Sequence, residues 1–92
     1  METMFRKAAL EWLKANNRKD LERLEREGKL EEYLNDLQEI HQGEAETMRI
    51  QMTQNLPTEY MKRVAALKEA HNTAVNTAMA NMYEFLQTTL DE

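Results

Sequence analysis

Apolar residues recur along most of this chain at intervals of three and four, the spacing of one face of an α-helix. Met4, Ala8 and Trp12 form one line, with Phe5, Ala9 and Leu13 beside it, so the spacing predicts a first helix over 3–15. Thr3 stands where a hydroxyl caps a first turn. Asn16-Asn17 then interrupt, because Asn is a poor helix-interior residue and a good cap. A second helix is predicted over 18–27, with Asn17 as its cap, Asp20 at the third position and a narrow apolar edge of Leu21 and Leu24. Gly28 is its natural stop, the alternative being one continuous helix through that glycine. Opposite charges stand four apart at Arg18–Glu22, Glu22–Arg26 and Arg23–Glu27, each exposed pair contributing about 0.2–0.5 kcal/mol.

The longest patterns lie further on. Leu30, Leu34, Leu37, His41, Ala45, Met48 and Met52 make a continuous stripe, flanked by Tyr33, Ile40 and Ile50, which predicts a third helix over 29–55. Gly43 falls inside it and permits a bend, a close approach or a division into two helices. Leu56-Pro57-Thr58 is the clearest break, since the residue before a proline is pushed out of helical geometry and proline suits a first helical turn. The fourth helix is predicted over 58–89. Its stripe is Tyr60, Val64, Leu67, His71, Ala74, Ala78, Met82 and Phe85, with Val75, Met79, Leu86 and Leu90 alongside. Two helices on the order of 40 Å long, joined by a short connection, must pack side by side. The expected fold is therefore all-α: one domain over 1–92, with the two long C-terminal helices as an antiparallel hairpin packed with one or two short N-terminal helices. Folding the chain about residue 56 sets His41 opposite His71.

Composition narrows the function. The 92 residues include two Gly and one Pro, which leaves little provision for turns. A net charge of −5 argues against a general nucleic-acid binder, whose affinity comes from neutralising phosphates, so direct nucleic-acid binding is not expected. Lys19, Arg23 and Arg26 share a stripe on the second helix, but Glu22, Glu25 and Glu27 interleave with them. There is no Cys, which removes disulfides and thiolate chemistry. No apolar run approaches the roughly 20 residues that span a bilayer, and the N-terminus carries charges where a signal peptide is apolar. A cytoplasmic protein without membrane contact is expected.

Candidate chemistry is sparse. No Gly-rich phosphate loop, Ser or Cys occurs in the chain, and the acidic residues occupy surface-type helical positions, so neither an enzyme nor a cofactor is expected. His41 and His71, with Glu44 and Glu69 nearby, are weak metal-ligand candidates, because Gln38 and Lys68 stand where a paired-helix metal site places Glu. Ala70 to Tyr83 form four turns without a full charge in a protein that is 32% charged. Either the fourth helix is central and covered on several sides, or this band meets a protein partner through His71, Val75, Ala78, Met79, Met82 and Tyr83. On the third helix, Glu32, Asp36 and Glu39, with Glu31 beside them, make an acidic face suited to a basic partner groove.

The run WLKANNRKDLERLEREGKLEEYL, Trp12 to Leu34, resembles the small transposon-encoded proteins called TnpV. In that family a "YLKE"-like segment leads to a Leu-rich turn and a "GKL" followed by an aromatic residue or Leu. An Ala/Gln/Met-rich helix and a C-terminal helix ending in a Glu-and-Leu cluster come next. Trp12-Leu13-Lys14, Leu21, Leu24, Gly28-Lys29-Leu30 and Leu34 match the first part. Ala45, Met48, Gln54 and Glu84-Phe85-Leu86 with Leu90 match the rest, over roughly residues 6–90. The resemblance implies a context, an accessory protein of a mobile genetic element or phage, and no reaction. The expected function is thus a non-enzymatic helical protein-interaction module that self-associates as a homodimer. The alternatives are an inhibitor of a host defence nuclease, anti-CRISPR-like, acting through the acidic face, and a metal-binding helical bundle.

Overall fold

Asn17 and Gly28 cut the N-terminal third of the chain into two short helices, each by its own local chemistry. In the computed structural model, which describes residues 3–90 with the side chains of 89 and 90 set aside, there are four helices and no strand among the described residues. They are α1 (Met4–Asn16), α2 (Arg18–Glu27), α3 (Leu30–Met52) and α4 (Tyr60–Leu90). The side chain of Leu90 and the ends of the predicted 1–92 domain lie outside the described residues.

Asn17 caps α2: its side-chain oxygen accepts from the Asp20 N–H at 3.4 Å, while its amide donates to the Asp20 carboxylate at 2.6 Å. Gly28 closes the same helix in the left-handed conformation, φ 70°. Its N–H donates to the Glu25 carbonyl and that of Lys29 to the Leu24 carbonyl, the paired bonds of a Schellman ending. Helix does not continue through Gly28. Thr3 sits at the start of α1 without forming the expected side-chain cap. Arg23, by contrast, reaches both Asp20 and Glu27.

α3 runs unbroken through Gly43 and ends at Met52, three residues short of the predicted 55. The Thr53 hydroxyl donates to the carbonyls of Arg49 and Ile50, which takes up last-turn acceptors. Residues 53–59 connect to α4, whose first bond runs from the Arg63 N–H to the Glu59 carbonyl. α3 and α4 pack along one another, α1 lies against both, and α2 rests on α1 and α3.

The core comprises Phe5, Ala9 and Leu13 of α1, Leu21 of α2, Leu34, Leu37 and Ala45 of α3, and Ala74, Ala78, Met82 and Leu86 of α4. The α3 stripe is buried as predicted from Leu34 to Ala45, but Met52 at its end is exposed. The α4 stripe needs correction. Tyr60, Leu67, His71 and Phe85 are exposed, and the buried line is Ala70, Ala74, Ala78, Met82 and Leu86. A strict step of four drifts about 40° around the helix each time, and this carries α4 across two neighbours, α3 and α1.

Candidate contact surface

α1 is thirteen residues long and α4 thirty-one, about 20 Å against about 46 Å, so the N-terminal helices cover only part of the hairpin. Hydrogen bonds show which part. The Arg6 N–H donates to Gln38 at 3.0 Å and its guanidinium bonds to Asn35 and Glu31, while Phe5 lies 6.1 Å from the His41 ring. Met4, at the head of α1, shares a cleft of about 270 Å³ with Ala45, Arg49, His71 and Ala74. Beyond that level the hairpin stands alone, at one end of a rod 54 Å long and 17–23 Å across.

The consequence is visible residue by residue. Among the described residues none from 46 to 69 is buried. Within this free half, Ile50 is 60%, Met52 46%, Tyr60 75%, Met61 70% and Leu67 39% exposed. Five of the eight large apolar side chains exposed among the described residues thus lie in this half, and exposed apolar surface often marks a contact site. α3 has three residues left after Arg49, whereas α4 has seven before Leu67, and those two side chains share one groove. α4 therefore projects past the end of α3 by about one turn. Charge at this end is close to balanced: over residues 46–69, Arg49, Lys62, Arg63 and Lys68 stand with Glu46, Glu59 and Glu69, in a chain of net charge −5. Lys62 pairs with Glu59 at 3.7 Å.

The band singled out on α4 divides. Ala78 and Met82 are fully buried within the single chain and present nothing to a partner; this corrects their place in the expected interface. Val75 and Met79 are half-buried against the core, while His71 and Tyr83 are exposed. Four uncharged turns thus reflect coverage by α1 and α3 on one side, with small polar residues on the other. Ile50, Met52, Tyr60 and Leu67 were not singled out as contact candidates because they stand on or beside apolar stripes that read as core, and Met61 lies outside every stripe. Their signal was length, since two short helices cannot cover a hairpin of two long ones.

The acidic face is largely solvent-facing. Glu32, Asp36 and Glu39 are exposed on α3, while Glu31 is bridged to Arg6. Asp36 and Glu32 border a shallow cleft with Leu24, Lys29 and Tyr33.

The histidines do not face one another. His41 is buried, its Nδ1 2.7 Å from the Glu44 carboxylate, whereas His71 is exposed beside Ala45 and Arg49, one to two turns further along α3. Folding about residue 56 had assumed that both helices end level, and the overhang of α4 shifts the register. Among the described residues no group of three or more His, Cys, Asp or Glu side chains is placed to hold a metal ion. Tyr33 carries a buried hydroxyl with no hydrogen-bond partner. Burial pushes its phenol above the ordinary 10.0, the Asp20 carboxylate adds to this, and Arg23 opposes it. No helix among the described residues is long and apolar enough to cross a membrane.

No family model, no curated protein and no solved structure matches this chain.

Proposed function

We propose that this chain is a non-enzymatic helical interaction module that offers the free half of its α3–α4 hairpin to a protein partner. One observation carries the reading: a stretch of 24 residues, 46–69, has no buried member yet exposes Ile50, Met52, Tyr60, Met61 and Leu67. An uncovered apolar surface costs solvation free energy in the isolated chain, and a partner removes that cost. The core-rich half supplies a rigid base, and the projecting turns of α4 present anchors of the kind that dominate interfaces, Tyr and Met with Arg at the rim. The TnpV-like residues add a setting, that of an accessory protein of a mobile element or phage.

A second reading, the nuclease inhibitor, draws on Glu32, Asp36 and Glu39, which stay exposed along one helix. One experiment separates the two. Immobilised protein is exposed to extract of the native host in three forms: unchanged, Tyr60→Glu with Met61→Glu, and Glu32→Lys with Asp36→Lys and Glu39→Lys. The interaction-module reading expects captured protein to fall at least tenfold with the hairpin variant and to persist with the acidic-face variant. The reverse pattern, with a nuclease as the captured protein, selects the nuclease inhibitor.

A further inference from the structure

The groove between α3 and α4 that α1 fills continues past the first residue of α1. On α3 its wall is Gln38, which accepts the Arg6 N–H, then Gln42 and Ala45, which share the cleft with Met4 and Phe5, then Arg49. At 100° per residue these four lie within about 60° of arc, so Arg49 prolongs the line that faces α1. On α4, Tyr60, Val64, Leu67 and His71 also lie within about 60° of arc. His71 borders the Met4 cleft and shares a second cleft with Arg49, Leu67, Lys68 and Asn72. From His71 back to Tyr60 the groove is about 17 Å long, and no helix among the described residues lies over it.

Charge in this groove is one-sided. Arg49, Lys68 and His71 meet around the second cleft, and no acidic residue lines it. None of the three side chains makes an ion pair or hydrogen bond among the described residues. The near balance over 46–69 arises because the acidic residues stand elsewhere. Glu69 lies about 170° round α4 from the groove line, and Glu59 pairs with Lys62. Glu46 borders only the Met4 cleft, where it accepts from Gln42. The groove is apolar beneath these cations: Leu67 is 39% and Tyr60 75% exposed, and Val64 between them is half-buried.

We infer that the occupant of this groove is an acidic amphipathic helix of a partner protein, about three turns long, laid end to end with α1. The inference rests on the interaction-module reading and names the chemistry of its partner. The apolar face of such a helix meets Leu67, Val64 and Tyr60, as Phe5, Ala9 and Leu13 of α1 meet the covered half. Its carboxylates reach Arg49, Lys68 and, when protonated, His71. Cations left without partners beside apolar surface are complementary to this chemistry: apolar side chains supply the affinity, and carboxylates set direction and register. A second copy offering the same groove would set Arg49 and Lys68 against their own counterparts, which disfavours a two-fold pairing of grooves. The same charges disfavour a basic helix.

The test is a chemical-shift titration of the isotope-labelled full chain with three acetylated and amidated peptides, each of two heptads. LEALEEA is acidic and amphipathic, LKALKKA is basic and amphipathic, and SEASEEA is acidic and polar throughout. LEALEEA is expected to move the amides around Arg49, Val64, Leu67 and His71, to leave those of 30–37 in place, and to bind at least tenfold more tightly than either other peptide. Arg49→Glu with Lys68→Glu, both at exposed positions, should weaken LEALEEA at least tenfold and reverse the preference, so that LKALKKA binds the variant more tightly. A misfolded variant could lose binding but could not gain it. Equal affinity for the acidic and basic peptides, shifts confined to another face, or a preference that does not reverse would each overturn the inference. The same shifts on concentrating the chain alone to 500 µM would assign the groove to a second copy and overturn it too. If the peptides fail while capture from extract is still lost with the Tyr60 and Met61 changes, the interaction-module reading stands and this partner chemistry falls.

Discussion

Tyr33 places a phenol where nothing answers its hydroxyl, between α3 and the Asp20 and Arg23 side chains of α2. A buried hydroxyl without a partner costs on the order of 1–3 kcal/mol, so Tyr33→Phe, which keeps the ring, is expected to stabilise the fold by about 1 kcal/mol at neutral pH. The same group sets an alkaline limit. Its folded-state pKa lies above the 10.0 of the unfolded chain, so as pH rises through about 10 the unfolded chain loses the proton first. Stability then falls with pH until the folded phenol also ionises. Thermal melts of the two proteins between pH 8 and 11 check both statements: Tyr33→Phe should melt higher at pH 8, and its excess over the native chain should widen above pH 10. A lower melting temperature for Tyr33→Phe at pH 8 would mean that the hydroxyl has a partner in solution.

The helices differ in how far they could be read in advance. α2 was legible because its limits are chemical: Asn17 offers a side-chain acceptor and Gly28 a left-handed residue, both properties of the residue itself. The α3 stripe from Leu34 to Ala45 was legible because a single period describes it. The α4 stripe was not, since which of Ala70, His71 and Phe85 faces inward depends on two neighbours at different angles, and local periodicity holds no record of them. Ala78 and Met82 were assigned to the interface for a related reason, because an apolar position says that it is covered and not by what. The two halves of α4 should therefore respond differently to truncation. Met82→Ala, in the fully buried line, is expected to cost about 2–5 kcal/mol. Tyr60→Ser, at 75% exposure, is expected to change stability by less than about 0.5 kcal/mol in dilute protein. Urea titration at 1 µM compares them, and equal losses would mean that the hairpin end is covered within one chain.

At the scale of the whole molecule the chain is asymmetric in three coincident ways. One end has a core built from all four helices, and the other is a bare hairpin. The covered end carries the acidic face, whereas charge on the bare end is nearly balanced, four basic residues against three acidic ones over 46–69. The covered end holds every fully buried large apolar side chain, while still exposing Ile40, Tyr83 and Phe85, and the bare end buries none among the described residues. A folded chain gains nothing by itself from an uncovered apolar end, but an association surface needs one. Amide hydrogen exchange of the isolated chain and of the complex it captures from host extract tests this most directly, because it reads burial along the backbone in the intact protein. Protection over residues 47–68 should be low in the isolated chain and rise at least tenfold in the complex, while protection over 74–86 stays the same. Protection over 47–68 that is already high in the isolated chain, or that does not change in the complex while another segment does, would contradict the assignment of the free hairpin half as the contact surface.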